Sequence, residues 1–191
     1  FYACEMPEPG DGASLYELLD RFSPETPIDR DLIQVLLMTT IWGGPAGTRP
    51  AFVITSDAGR GAGKSKLAAM VGHVAGGVVD FSTNEDAQQL KTRLLSADAL
   101  PKRIALLDNV KSLKLSWAEL ESLITATVVS GRRLYVGEAS RPNTLVWLIT
   151  LNGAALSADM SQRSVIIKVK APKRSGNWEC ETVRFIQERR Q

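Results

Sequence analysis

The run Ala58-Gly59-Arg60-Gly61-Ala62-Gly63-Lys64-Ser65-Lys66 sets glycines, a lysine and a hydroxyl in an order that suits phosphate. Glycines let successive backbone N–H groups converge on phosphate oxygens, and the N-terminus of a following helix adds its positive end. In such a loop Lys64 reaches the β- and γ-phosphates of a nucleotide, and Ser65 ligates Mg²⁺. The surroundings agree with the motif. Ala51 to Thr55 is an apolar run of strand type, and Leu67, Met70, Val71 and Val74 follow at helical spacing. One departure is Ala58, which stands where the motif has its first glycine.

Asp108 closes the apolar strand that begins at Ile104. Ligands gather at the carboxyl ends of parallel strands, so Asp108 is expected beside the phosphate loop, holding the water shell of Mg²⁺. Without the loop upstream it would read as a turn residue. Asn109 follows, where many hydrolytic P-loop enzymes carry Glu to polarise the attacking water. An amide cannot accept a proton as a carboxylate does. Three readings stay open: Asn109 orients a water, a base such as Glu138 comes from elsewhere, or hydrolysis is slow. Asn152 comes directly after the strand Thr144 to Thr150, where it can position water. Arg163 precedes the strand Ser164 to Lys170. From there an arginine usually reaches only a neighbour's γ-phosphate, where such a charge is worth roughly 10³–10⁵ in rate. Singly, these two would be a turn Asn and a surface Arg.

The series Ala58 to Ser65, Leu107-Asp-Asn-Val110, Thr150-Leu-Asn-Gly153 and Asp159-Met-Ser-Gln-Arg163-Ser resembles the AAA+ ATPase core of phage- and plasmid-type primase-helicases, close to superfamily 3 helicases. The resemblance covers about residues 30 to 190. It implies Walker A roles for Lys64 and Ser65, Walker B roles for Asp108 and Asn109, a first sensor at Asn152 and a trans-acting finger at Arg163. It further implies ATP and Mg²⁺ as cofactors and a ring of like subunits, as a hexamer. Single-stranded or duplex DNA would be the partner, with a primase module in the same polypeptide. The stretch Ser130 to Asn143 also matches in kind, because related helicases carry a DNA-gripping hairpin before the first-sensor strand. Arg132, Arg133 and Arg141 make that stretch positive, which suits phosphate contacts. A solvated loop explains the same residues.

These residues need elements to position them. Leu15 to Phe22 and Asp29 to Trp42 read as helices, with Gly43-Gly44-Pro45 as a stop. Val78 to Phe81 reads as a strand, Asn84 to Ser96 as a helix, and Ser116 with Glu119 as a capping box opening a helix through Val128, stopped by Gly131. Alternating strands and helices predict an α/β P-loop NTPase fold of AAA+ type, a three-layer sandwich with a mostly parallel sheet and helices on both faces. The expected division is a flanking segment over 1–27, the ATPase core over 28–175 and the start of a C-terminal helix over 176–191, leading to an absent lid.

Composition narrows the class without naming a job. The 191 residues are 44% hydrophobic and 23% charged, which excludes a disordered chain. Net charge is only +2, yet residues 1–31 balance at −6 and residues 160–191 at +5. Cys4, Cys180 and His73 form no metal-binding spacing. Neither a membrane span nor a signal peptide is expected, and a bacterial or phage-type cytoplasm fits. The start at Phe1 reads as an excerpt of a longer polypeptide. Two other functions compete with the motor: a slow-hydrolysing, nucleotide-gated assembly or DNA-binding switch, and, with less support, a P-loop kinase for a small molecule.

Overall fold

In a parallel sheet covered on both faces, strands are apolar throughout. Val-Trp-Leu-Ile-Thr-Leu over β6 (Val146–Leu151) is such a strand, buried at every residue. It lies at the centre of a five-stranded sheet ordered β2-β3-β6-β1-β7. The others are β1 (Ala51–Thr55), β2 (Val78–Phe81), β3 (Ile104–Val110) and β7 (Ser164–Lys168), and every pairing in this sheet is parallel. The computed structural model describes residues 10–46, 49–59, 61–111, 116–133, 136–153, 155–171 and 176–189. Cys4, Arg60, Tyr135, Lys173, Arg174 and Arg190 lie outside them.

Alternate strand residues feed two cores. Phe52, Ile54, Leu106 and Leu148 point to one face, packed under α1 (Ala13–Asp20), α2 (Pro27–Ile41), α3 (Lys64–Ala75) and α7 (Trp178–Arg189). Val53, Leu107, Trp147 and Ile149 point to the other, under α4 (Ala87–Leu94), α5 (Trp117–Thr125) and Met160 of α6 (Ala158–Gln162). This is the three-layer P-loop NTPase arrangement. Leu18, Leu19, Phe22, Phe185 and Ile186 belong to the first core, so the segments before residue 28 and after 176 pack on the same sheet. Thr26 and Asp29 cap α2 reciprocally, and the second oxygen of Asp29 accepts the backbone N–H of Lys168 at 2.7 Å.

Three local expectations change. Strand β3 runs on through Asp108 and Asn109 to Val110, and does not close at Asp108. Helix α5 ends at Thr125, so Val128 and Gly131 lie in β4 (Val128–Arg133), which pairs antiparallel with β5 (Gly137–Pro142) as a hairpin. Gly131 is small for a packing reason: a Cβ there would sit 3.3 Å from Cβ of Lys91, where the hairpin crosses α4.

Arg141 is also corrected. It is 6% exposed, and its guanidinium donates to the carbonyls of Leu94, Ala99 and Lys102 at 3.2, 2.8 and 3.1 Å. Burial lowers its pKa from the usual arginine value. It fastens the hairpin to the α4–β3 connection and is not part of an exposed phosphate-binding patch. Arg141→Met keeps the apolar stem but leaves three carbonyls without this donor. A loss of about 3 kcal/mol in urea denaturation is expected.

Candidate functional site

Parallel pairing brings the carboxyl ends of β1, β6 and β3 to one edge. Ile54 is in register with Thr150, and Leu107 with Ile149. Asp108 is therefore two strands from the phosphate loop, with β6 between them. Thr150 of β6 closes that gap. Its hydroxyl donates to Asp108 Oδ1 at 2.5 Å and accepts the backbone N–H of Asn109 at 2.7 Å. From the first turn of α3, Ser65 Oγ donates to the same Asp108 oxygen at 2.8 Å.

The phosphate loop takes the shape its glycines permit. Gly59, Gly61 and Gly63 have φ of 70°, 83° and 84°, in the left-handed region that a Cβ disfavours. Gly63 is the N-cap of α3, so the helix begins at Lys64. The Lys64 side chain folds back, and Nζ donates to the carbonyl of Gly59 at 2.8 Å. Ser65 and Asp108 present joined oxygen atoms, the donor type a hard divalent cation takes. Their fit to Mg²⁺ rests on that donor set.

Asn109 departs from the strand around it. Its φ of 57° is left-handed, and the β3–β6 register shifts between Leu107 and Val110. Such a bulge re-aims side chains, and Asn is among the few side chains that tolerate the conformation. Asn152 Nδ2 donates to Asn109 Oδ1 at 2.9 Å, while Asn152 N–H donates to the carbonyl of Val110 at 2.8 Å. Two amides thus meet beside Asp108.

These groups line one side of a cleft of about 790 Å³. The opposite wall escapes sequence reasoning: Phe22, Ser23, Val169, Trp178 and Glu179 come from chain segments with no motif. Trp178 packs edge-on against Phe22 and donates Nε1–H to the carbonyl of Arg21 at 2.7 Å. Lys66 Nζ pairs with Glu179 across the cleft at 2.8 Å. Asp80 of β2 is raised in pKa, by partial burial first and then by the carboxylate of Asp108. Thr150 and Asp80 could have been found only from strand order.

Arg163 lies elsewhere. Its carbonyl accepts the N–H of Ala51 at the amino end of β1, whereas the phosphate loop leaves the carboxyl end. The five residues of β1, at about 3.3 Å each, separate Arg163 from the cleft edge of its own chain. Its side chain is half exposed and pairs through Nε with Glu121 of α5. In the hairpin, Arg132 is exposed opposite Glu138, and Val136 at the turn is 63% exposed. Glu138 does not line the cleft. Among the described residues no three His, Cys, Asp or Glu side chains group as a metal site, and no helix is long and apolar enough to cross a membrane.

No family model and no curated protein matches the sequence. Solved structures do. The NrS-1 C-terminal region aligns with TM-score 0.66 and 17% identity over 96% of this chain and 44% of that one. A second structure of that region gives TM-score 0.60 at 16% identity, over 96% and 43%. JCV helicase, with a bound small molecule, aligns with TM-score 0.58 and 15% identity over 94% and 49%. At these identities the likeness establishes the fold, and this chain spans less than half of each neighbour.

Thr150→Val is nearly isosteric and removes both hydroxyl bonds behind Asp108. A loss of about 2 kcal/mol in chemical denaturation is expected, largely restored by Thr150→Ser, which keeps the hydroxyl.

Proposed function

We propose that the chain is the ATPase motor core of a helicase, in which ATP is hydrolysed between subunits of a ring and coupled to movement along DNA. The observation that carries this reading is the placement of Arg163. A half-exposed arginine at the amino end of β1 is turned away from the cleft at the carboxyl end, so it serves a nucleotide held by another copy. The shared fold with JCV helicase supports the motor reading. A hexamer, single-stranded or duplex DNA, and a primase module elsewhere in the polypeptide complete it.

Gly59, Arg60, Gly61, Ala62 and Gly63 then cradle the ATP phosphates with Lys64, flanked by Ala58 and Lys66. Ser65 and Asp108 would hold Mg²⁺, which neutralises charge on the phosphate oxygens when bound. Thr150 keeps the Asp108 carboxylate aimed at Ser65. The amides of Asn109 and Asn152 orient water at the γ-phosphate. Arg132 and Arg133, on the exposed hairpin, meet the DNA backbone.

A second reading has an observation of its own. Asn109 carries an amide held by Asn152, so the position beside Asp108 has no carboxylate to take a proton. In this reading hydrolysis is slow and ATP gates assembly or DNA binding. Turnover with single-stranded DNA separates the two: strong stimulation supports the motor, and tight binding without turnover supports the switch.

Lys64→Ala should abolish ATP binding in equilibrium titration. Arg163→Ala should bind ATP and assemble as wild type, with hydrolysis down by about 10³-fold or more; unchanged turnover in the assembled variant would overturn the ring reading. If the switch is correct, Asn109→Asp should raise steady-state turnover by about 10²-fold. Aspartate tolerates the left-handed backbone and still accepts from Asn152, while adding the missing base.

A further inference from the structure

Helix α2 carries an apolar stripe on its outer side. Ile28, Val35, Met38, Ile41 and Trp42 are 70%, 46%, 54%, 67% and 54% exposed, half of the large hydrophobic residues exposed among the described ones. Single exposed apolar residues need no explanation, but a contiguous set on one element marks an interaction face. Ile28, Val35, Met38 and the C-cap Trp42 fall within about 80° of one another around the helix, interrupted by the exposed Asp31, while Ile41 stands at the helix end one turn beyond the buried Leu37. The opposite side, with Ile33, Leu36 and Leu37, is already spent on the core. At about 1.5 Å per residue the stripe runs some 20 Å.

Its far end is packed and hydrogen-bonded. The Arg49 guanidinium lies 5.1 Å from the Trp42 ring centre and donates to the carbonyls of Gly44 and Pro45 at 3.0 and 3.2 Å. Arg103 donates to the carbonyl of Trp42 at 3.0 Å. A tryptophan already packed before contact loses less entropy on binding, and Trp is enriched among the residues that carry interface energy.

We propose that this stripe, anchored by Trp42, is the surface against which a second copy of the chain docks. Arg49 supplies the connection. It touches the Trp42 ring and also lines a side cavity of about 260 Å³ together with Arg163. The stripe is therefore continuous with the residue that requires a second copy. The cations a phosphate-bearing copy would meet at this edge are the half-exposed Arg163, paired with Glu121 within its own chain, and the partly exposed Arg103, Arg49 being buried behind them. The proposal rests on the ring reading given above and adds the surface that holds the ring together.

The test is the double variant Val35→Asp/Met38→Asp in the full chain, both sites exposed and outside the nucleotide cleft. Assembly is followed by sedimentation over a concentration series with Mg²⁺ and a non-hydrolysable ATP analogue. The expected result is an assembly constant weakened by about 100-fold, with melting temperature and nucleotide affinity unchanged and hydrolysis recovering at high protein concentration. Met38→Leu should assemble as wild type. A double variant that assembles at the wild-type concentration overturns the proposal, and leaves α2 to flanking chain or to another protein. A wild-type chain that stays monomeric with saturating nucleotide also overturns it. The two ideas fail separately: normal assembly of the double variant with an inactive Arg163→Ala removes the surface alone, whereas an active, assembled Arg163→Ala removes the ring reading.

Discussion

A single oxygen, Oδ1 of Asp108, joins three parts of the chain. It accepts the Ser65 hydroxyl from the first turn of α3 and the Thr150 hydroxyl from β6, while belonging itself to β3. Thr150 is fully buried, with its donor and its acceptor capacity both used. A buried hydroxyl left unpaired is costly, so this network holds only one relative placement of β3, β6 and α3. The phosphate loop, which leads into α3, takes its position from the same contact.

The sheet also sets a polarity on the molecule. All strands of the sheet are parallel, so their carboxyl ends share one edge and their amino ends the other. Lys64, Ser65, Asp108 and Asn152 collect at the first edge, and Arg163 with Arg49 at the second. No adjustment of a side chain can bring the two edges together, because a strand lies between them. In the proposed ring, two copies placed edge to edge bring them together. The apolar stripe of α2 runs to the arginine-bearing edge and ends at Trp42.

The bulge at Asn109 shows how backbone geometry and chemistry constrain each other. A left-handed residue inside a strand costs of order 1–3 kcal/mol. Here the cost is offset by the Asn109 N–H bond to Thr150 and the amide bond from Asn152. Asparagine suits that backbone better than glutamate does. The amide that looks like a missing base in one dimension is, in three, the side chain suited to a strained turn.

Local pattern in the amino-acid sequence determined much of this protein. Glycine spacing, the lysine and hydroxyl that follow, apolar runs and capping boxes each act within a few residues, and they were enough for the α/β fold class, the strands β1 and β2 and the phosphate loop. Helix ends were less legible: Val128 continues the helical spacing of α5 and yet belongs to β4, because pairing with β5 outweighs local periodicity. What only the tertiary structure decided depends on neighbours distant in the chain. Arg132 and Arg141 are the same residue type nine positions apart, but one is exposed and the other is buried against three carbonyls of the α4–β3 region. Thr150 became the link behind Asp108 because β6 entered the sheet between β1 and β3. Strand order is a global property of packing, and no window of sequence contains it.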